Sequence, residues 1–347
     1  MRKTLLPHLV CPGCSGVLAL TIDRAEEEWI EEGKLTCDAC RKSWPIDRGV
    51  PDFVPRDDRS DVQQTTSGFA RNWDEFNKVI NAHQALNDEL FRDWILPLDP
   101  EQIRGKLVLE AGCGMGRWLR VAASYGPRVL IGLDYSAIAF TAAKNLRDLP
   151  DVHIVRADIL HMPLKREIEL TYCLGVVHHT PDPARTFDAL VDKLADDGLM
   201  TVWVYGAENN GWIHHVVTPL REKVTSRLPH AILSGISTSL ALVLYGAAAS
   251  YKLGFEKLGF PYADYLRYLR RYPFKYMEHI VYDHLVPRIA YYLSREELLG
   301  WVSKNNVFFN LTARNGNSWR LLVSRDRTRI PDAADPHSAA PGAALRT

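Results

Sequence analysis

The sequence predicts an α/β fold with a doubly wound, mostly parallel sheet, preceded by a small unit that needs a metal or disulfides for stability. Three observations support this prediction. Between Lys106 and Tyr205, short apolar segments alternate with helical patterns, as expected of a parallel sheet with helices on both faces. A glycine-spaced turn follows the first of these apolar segments, and two CxxC pairs lie near the N-terminus.

The first unit comprises residues 1–56, and its cysteines are Cys11, Cys14, Cys37 and Cys40. So short a segment buries little apolar surface and usually needs a disulfide or a metal for stability. Two CxxC turns can present four thiolates to one tetrahedral zinc ion, as in a zinc ribbon. Two disulfides or a redox-active CxxC are the alternatives, but the βαβ surroundings of a redox motif are missing. A zinc with four cysteine ligands has no open coordination position, which favours a structural role.

Residues 57–68 are polar and are predicted to form a linker. The main domain is expected at residues 69–325, and aromatic residues at helical spacing predict two helices at its start. The residues that carry this pattern are Phe69, Trp73 and Phe76, followed by Phe91, Trp94 and Ile95.

The main sheet is expected to contain strands near 107–111, 128–133, 152–156, 168–174 and 199–204, with helices near 116–125, 136–147 and 183–194. Ser294 and Glu297 form a capping box that opens a helix ending near Ser303. Strands near 306–313 and 318–324 would then close the sheet as a hairpin. Residues 326–347 are rich in Pro, Ala and Asp and are predicted to be a disordered tail.

The glycine-spaced turn predicts a nucleotide-cofactor site. Gly112, Gly114 and Gly116 remove side chains where the backbone has to approach a ligand. Glu110 precedes them, and Asp134 ends the next apolar segment, where a carboxylate can accept hydrogen bonds from ribose hydroxyls. Each residue also has a structural explanation, since glycines serve tight turns and aspartates cap helices.

These residues resemble the successive motifs of class I S-adenosylmethionine-dependent methyltransferases. Dinucleotide-binding loops commonly read GxGxxG, whereas here the glycines fall at every second position after an acidic residue. The resemblance implies a Rossmann-like, seven-stranded sheet with S-adenosylmethionine as the cofactor. It implies that Glu110 and the glycine loop lie at the methionine part of the cofactor and Asp134 at the ribose. The remaining cofactor-binding positions of these motifs are Tyr135 and Ser136, Asp158 and Ile159 at the adenine, and Leu174.

The N-terminal unit has a resemblance of its own. The segments from Leu5 to Pro12 and from Gly49 to Pro55 resemble the zinc-ribbon family that includes the activator subunit of tRNA, rRNA and release-factor methyltransferases. This likeness covers only the first unit, and it implies a structural or substrate-presenting role for a ribbon fused to its enzyme.

Two histidines are candidates for catalysis. Methyl transfer requires an aligned acceptor and, for some acceptors, removal of a proton, for which a histidine has a suitable pKa. His178 and His179 follow the fourth strand of the sheet, next to the expected methyl position. In methyltransferases that resemble those of ubiquinone and menaquinone synthesis, such a pair is often a motif feature, so its catalytic role is a hypothesis. Asp283, between Tyr282 and His284, belongs to a second candidate segment that the resemblance places over the pocket.

The insertion at about 206–293 rises from the carboxyl edge of the sheet and is expected to choose the acceptor. Its second half interleaves aromatic and basic residues, which would suit a membrane surface, RNA or an acidic substrate, although a solvated helix face explains them equally well. These residues are Tyr262, Tyr265, Leu266, Arg267, Tyr268, Leu269, Arg270, Arg271, Tyr272, Lys275 and Tyr276. The apolar run from Ala231 to Tyr251 contains serines and glycines and is expected to form a buried helix pair, with shallow membrane contact as the alternative.

The composition bears on which class of molecule accepts the methyl group. Lys plus Arg and Asp plus Glu both number 42, so no overall positive field attracts nucleic acid. We therefore expect a small or amphiphilic metabolite as acceptor. RNA or a translation protein is the alternative that the ribbon suggests, and a non-catalytic, cofactor-binding partner subunit is a third. No secretory signal precedes Cys11, so we expect a cytoplasmic protein, with peripheral contact to a membrane as an option.

Overall fold

The computed structural model describes residues 1–55, 70, 77, 82–211, 213–250, 269 and 271–331. The expected linker, the aromatic pattern from Phe69 to Phe76 and residues 332–347 of the expected tail lie outside this range. So do Tyr262, Tyr265, Leu266, Arg267, Tyr268 and Arg270 of the insertion.

The N-terminal unit is a four-stranded antiparallel sheet in sequential order. Its strands are β1 (Leu18–Glu26), β2 (Trp29–Cys37), β3 (Ser43–Asp47) and β4 (Val50–Pro51), after a 3-10 helix at Lys3–His8. Leu5, Leu35 and Ile46 are buried in the same apolar cluster as side chains of the main sheet. The unit and the main domain therefore share a core.

The main domain contains a seven-stranded sheet, which confirms the predicted doubly wound fold. Its strands are β5 (Leu107–Ala111), β6 (Val129–Asp134), β7 (Val152–Arg156), β8 (Ile168–Leu174), β9 (Leu194–Tyr205), β10 (Phe308–Arg314) and β11 (Ser318–Ser324). They lie in the order β10-β11-β9-β8-β5-β6-β7. β5 to β9 pair in parallel, and the β10–β11 hairpin joins β9 in antiparallel register.

The helices of the described residues flank this sheet or form the insertion. They are α1 (Gln84–Ile95), α2 (Arg117–Ala123), α3 (Ile138–Asn145), α4 (Pro183–Asp192), α5 (Thr218–Lys223), α6 (His230–Ser250), α7 (Phe274–Leu285) and α8 (Arg295–Asn305). The predicted capping box is present, because the Ser294 and Glu297 side chains each accept the other residue's backbone N–H. Apolar residues fill both faces of the sheet, as parallel strands require.

Two boundaries differ from the prediction. α4 ends at Asp192 and β9 begins at Leu194, so the strand is longer and the helix shorter than the apolar pattern indicates. After β11, Arg327–Arg329 form a short 3-10 helix and Ile330 is buried against the core. The first residues of the expected tail thus pack on the domain.

The insertion between β9 and α8 is mainly helical where the structure describes it. α7 lies between the sheet edge and α6, because its residues Val281 and Leu285 pack in a cluster with Leu233 and Ala241 of α6. Among the described helices, α6 has the length and apolar composition that crossing a bilayer would require, and most of it is not buried. Its exposure differs from the expected buried helix pair.

Candidate functional site

A cavity of about 360 Å³ opens at the carboxyl edge of the main sheet. It lies beside the ends of β5 and β8, where the strand order reverses direction, which is the usual ligand position in an open α/β sheet. Its size is within the range of small-molecule sites. The loops after β5 to β8 form one wall, and α1, α7 and the chain before α8 form the other.

The glycines of the turn have different structural roles. A Cβ on Gly112 would lie 2.3 Å from Val176 Cγ2, and one on Gly116 would lie 2.5 Å from Leu146 Cδ1. Both glycines have positive φ, so tight packing and backbone conformation require them. A Cβ on Gly114 would meet no atom within 4 Å, because this residue faces the cavity. Gly112 and Gly114 line the cavity, whereas Gly116 does not.

Asp134 is held in place by the glycine loop and by its own turn. Its Oδ2 accepts the Gly114 N–H at 2.8 Å, and its Oδ1 accepts the Ser136 N–H at 2.8 Å and the Ser136 hydroxyl at 2.7 Å. Burial raises the pKa of the Asp134 carboxyl, although these hydrogen bonds oppose the shift. The carboxylate lines the cavity with Tyr135 and Ser136, so the three predicted positions lie together.

Glu110 lies deeper, at the end of β5, with only 2% of its surface exposed. It accepts a hydrogen bond of 3.2 Å from the Tyr172 hydroxyl. Burial raises the pKa of the Glu110 carboxyl well above its usual range. A cationic ligand group beside it would favour the ionised form, and the amino group of a methionine moiety is such a group.

The predicted adenine positions line the same cavity. Asp158 and Ile159 follow β7, and Leu174 ends β8. The Asp158 side chain accepts the Leu160 N–H at 2.9 Å, so it also caps the 3-10 helix that follows. The geometry of Asp158 is therefore compatible with a helix cap and also with a contact to the adenine.

The two candidate histidines differ in their access to the cavity and in their hydrogen bonds. His178 is fully buried and does not line the cavity, and neither of its ring nitrogens has a hydrogen-bond partner among the described residues. Its ring packs 4.0 Å from the ring of Tyr205, which explains why it is withdrawn from the site. His179 lines the cavity, and its Nδ1 lies 2.7 Å from the carbonyl oxygen of Ile289. Of these two histidines, His179 is therefore the one that can contact a ligand in the cavity.

The protonation state of His179 follows from its surroundings. A carbonyl oxygen only accepts, so Nδ1 carries the proton. Burial, with the positive charge of Arg221, lowers the pKa of His179 to about 4 although the bond to Ile289 opposes the shift. The ring is therefore neutral at pH 7, and Nε2 carries a lone pair.

Asp283 and its neighbours occupy the wall that α7 contributes. Asp283 and His284 line the cavity, whereas Tyr282 points to α6 and bonds the His230 ring at 2.8 Å. Asp283 Oδ2 lies 3.3 Å from Nε2 of His279, which also lines the cavity. Burial keeps the pKa of the His279 ring well below its usual range.

Several cavity residues were missed in the sequence. Trp203 and Tyr205 end β9, and the rule that ligands bind at carboxyl ends of strands could have indicated them. Trp94 of α1, which belongs to the aromatic pattern that the sequence did indicate, also lines the cavity and stacks on Trp203 with ring centroids 4.4 Å apart. Arg314 and Tyr292 also line the cavity, but nothing in the local sequence marks them, since they come from distant segments.

The described part of the aromatic and basic segment is packed against the domain. Tyr272 and Tyr276 are buried and line the cavity. These two tyrosines therefore do not belong to a solvated helix face and can contact a substrate. Arg271 forms an ion pair with Glu89, and Lys275 pairs with Glu278 at 2.8 Å. These two cations are therefore neutralised by carboxylates and do not form a basic face.

The four N-terminal cysteines converge at one point, with all Sγ atoms within 4.8 Å of one another. Cys11 and Cys40 are 3.6 Å apart and Cys14 and Cys37 are 3.5 Å apart, sulfur to sulfur. Tetrahedral zinc with Zn–S bonds of about 2.3 Å would separate its sulfurs by roughly 3.8 Å. The donor set and its geometry thus fit one zinc ion, whereas the distances exceed a disulfide bond of about 2.05 Å.

The chain is similar in sequence to curated proteins over part of its length. The tRNA U34 carboxymethyltransferase of Tolumonas auensis is 32% identical over 136 residues, which cover 36% of this chain and 41% of that protein. The protein of the same name from Campylobacter lari is 30% identical over 105 residues, covering 29% of this chain and 35% of that protein. The chain spans about two fifths of the length of the curated relatives it matches.

The chain is also similar to solved structures, at low identity and low TM-score. Magnesium protoporphyrin IX methyltransferase from Synechocystis PCC 6803, with bound SAH, is 16% identical with a TM-score of 0.45, covering 78% of this chain and 100% of that one. A family profile described as a methyltransferase domain matches residues 82–305. Because this match covers well over half of the sequence, the chain belongs to the methyltransferase domain family.

Proposed function

We propose that this chain transfers a methyl group from S-adenosylmethionine to an acceptor bound beside His179. The observation that carries the proposal is the single cavity that unites Glu110, Gly114 and Asp134 with the aromatic insertion wall. The cofactor would supply an electrophilic methyl group on a sulfonium. The residues of the chain would bind it, orient the acceptor and exclude water.

The residues present fit this cofactor. Gly114 leaves open space where the loop faces the cavity, and Asp134 offers a carboxylate that is already held by backbone N–H groups. Glu110 offers a second, buried carboxylate for an ammonium group. Ribose hydroxyls at Asp134 and an amino group at Glu110 would use both acidic groups.

His179 would serve as the general base for an acceptor that must lose a proton. Its Nε2 lone pair is fixed by the bond from Nδ1 to Ile289, a residue of the segment that closes the insertion. Because its pKa is lowered to about 4, His179 is a weak base and suits an acceptor whose proton is already acidic. Asp283, with His279 beside it, is the alternative base on the opposite wall.

The geometry of the cavity favours a small or amphiphilic acceptor. Trp94, Trp203, Tyr205 and Tyr292 present flat apolar surfaces, and the cavity must hold both the cofactor and the reacting part of the acceptor. α6 adds an exposed apolar surface behind α7, with Leu242 64% and Val243 70% exposed. Such surroundings suit a molecule with a ring or a chain rather than a polyanion.

The relatives favour a second acceptor, tRNA, over our expectation from composition. They are named for carboxymethyl transfer to tRNA U34. A nucleobase could stack on the same aromatic wall, which would place its reacting atom beside His179. The relatives support this second candidate better than the small or amphiphilic acceptor, which is supported by the cavity and the composition.

One experiment separates these acceptors. The purified chain is incubated with methyl-labelled cofactor and a cell extract divided into lipid, small-molecule, RNA and protein fractions, with Asp134→Ala as control. Label in lipids or small molecules supports the first candidate, and label confined to RNA replaces it with the second. Cofactor binding without label in any fraction would indicate the non-catalytic partner subunit.

We also propose that the four cysteines bind one structural zinc ion. Metal analysis of the purified chain should give one zinc per molecule, lost in Cys37→Ser because three thiolates hold the ion poorly. Cys173→Ala is the control, since it removes a buried thiol outside the cluster. A chain without zinc, or zinc retained by Cys37→Ser, would contradict the assignment.

A further inference from the structure

The N-terminal unit is attached to β7, the edge strand of the main sheet. Asp52 pairs with Arg156 in a parallel bridge, and the Phe53 N–H donates to the Arg156 carbonyl at 2.8 Å. In the segment after β7, Leu164 pairs with Leu9 of the N-terminal unit in an antiparallel bridge. The unit is therefore bonded through its backbone to the strand that leads into Asp158 at the cavity.

A partly buried ion pair joins the same two residues through their side chains. Arg156 Nη1 lies 2.8 Å from Asp52 Oδ2, and the two side chains are 15% and 12% exposed. Charges removed from water in this way need a partner, so loss of either residue leaves the other uncompensated. The position of the Arg156 guanidinium thus depends on a residue of the N-terminal unit.

The guanidinium also holds the turn at the cofactor site. Arg156 Nε donates to the carbonyl oxygen of Tyr135 at 3.1 Å. Tyr135 lies between Asp134 and Ser136, and the Ser136 N–H and hydroxyl both bond the Asp134 carboxylate. A shift of the Tyr135 carbonyl would therefore change the direction in which Asp134 points.

A second contact supports the same turn from its other side. The guanidinium carbon of Arg48, in the turn before β4, lies 3.8 Å from the ring centroid of Phe140 on α3. α3 begins at Ile138, directly after the turn that contains Asp134. The N-terminal unit consequently contacts both the strand and the helix that flank this turn.

We propose that Asp52 is a positioning residue for the cofactor site: through Arg156 it holds the Tyr135 carbonyl, and with it the Asp134 turn, in the binding conformation. Docking of the N-terminal unit and cofactor affinity are then linked, and each strengthens the other. The inference rests on the proposed cofactor site at Asp134.

Asp52→Asn tests this link in the full chain. We expect S-adenosylhomocysteine to bind about 10-fold more weakly, within the usual range of coupling between sites. In assays, KM for the cofactor should rise while kcat at saturating cofactor changes little. Glu26→Gln is the matched control, because Glu26 also pairs with the main domain, through Arg147, but at an exposed site away from the turn. It should bind the ligand like the wild type.

A charge reversal separates positioning from simple stability. Asp52→Arg combined with Arg156→Asp restores an ion pair but leaves no guanidinium beside the Tyr135 carbonyl. The thermal midpoint should recover relative to Asp52→Asn, whereas affinity should stay low. Recovery of affinity in the double variant, or unchanged affinity in Asp52→Asn, would overturn the proposal. If the wild-type chain itself does not bind S-adenosylhomocysteine, the proposed cofactor site fails, and the link fails with it.

Discussion

The two walls of the cavity are built in different ways. On the wall at the sheet edge, Asp134 is held by N–H groups of Gly114 and Ser136, in the loop and turn after neighbouring strands. The insertion wall instead combines α1, α7 and the chain before α8, and Ile289 of that chain reaches across to hold His179, which lies 110 residues away along the chain. The first wall is set by short motifs and the second by packing between distant segments. A ligand shared by a whole family fits the first wall, and a ligand particular to this chain fits the second.

The largest expected effect is on the sheet-edge wall. Asp134→Ala removes the proposed partner of the ribose hydroxyls, and hydrogen bonds to a charged group contribute about 1.5–3 kcal/mol each. Binding of S-adenosylhomocysteine, measured by calorimetry, should weaken about 1000-fold if two such bonds are lost. Asp148→Ala removes an exposed carboxylate and should bind normally. A change of less than threefold in Asp134→Ala would remove the ribose assignment.

The same wall should tolerate little change in its backbone. Gly112→Ala combines a φ of +78° with a contact of 2.3 Å to Val176, and we expect a loss of about 3 kcal/mol in the free energy of unfolding. Gly105→Ala is the matched control, because its φ is +70° but no atom lies within 4 Å. There we expect only the conformational cost of about 1 kcal/mol. Equal losses in urea unfolding would show that the Val176 contact does not matter.

The contact between the insertion and the sheet edge is tested at the adjacent histidines His178 and His179. His179→Gln should lower kcat about 100-fold if the ring accepts the acceptor's proton, with little change in cofactor affinity. His178→Phe should keep kcat near the wild-type value, because His178 has no hydrogen bonds and does not line the cavity. Steady-state kinetics at saturating cofactor measure both. The reverse outcome would place the base at His178 and would require the cavity to reshape on binding.

The smallest effect concerns pH. Burial lowers the pKa of His153, which contacts Thr4 of the N-terminal unit, to about 3 from 6.5. The unfolded chain therefore takes up this proton below pH 6.5 while the folded chain does not, so stability is complete above pH 6.5 and falls as the pH drops towards 3. The loss from this group is at most about 1.4 kcal/mol per pH unit.

Urea unfolding at pH 7 and pH 5 measures this slope. His153→Gln should flatten it by up to one proton. Equal slopes in the two proteins would mean that His153 titrates normally. A flattened slope would show that His153 stays neutral in the folded chain beside Thr4 at pH 5.

Much of the fold could be predicted from local patterns. The predicted limits of β7 and β8 match the structure, and the capping box at Ser294 is present. Apolar segments of a parallel sheet are buried on both faces, so their limits are visible without any tertiary information. The boundary between α4 and β9 was harder, because Leu194 is apolar and suits the end of a helix as well as the start of a strand.

The candidate site could be predicted only on one side. Glu110, Asp134 and Asp158 stand at strand ends, so their motifs locate them at the cavity. Trp94, Tyr292 and Arg314 come from three distant segments, and no spacing relates them. His178 and His179 are neighbours with the same chemistry, and only the packing of Tyr205 shows which one is withdrawn.

The sequence by itself determined the doubly wound sheet, the glycine loop with its carboxylates and the convergence of the four cysteines. Each of these depends on contacts or conformations within a few residues of a strand end or turn. The tertiary structure decided which histidine faces the cavity, which aromatic residues line it and how the N-terminal unit reaches the Asp134 turn through Arg156. Those features depend on side chains far apart in the chain, whose meeting follows from the packing of the whole domain and not from any local pattern.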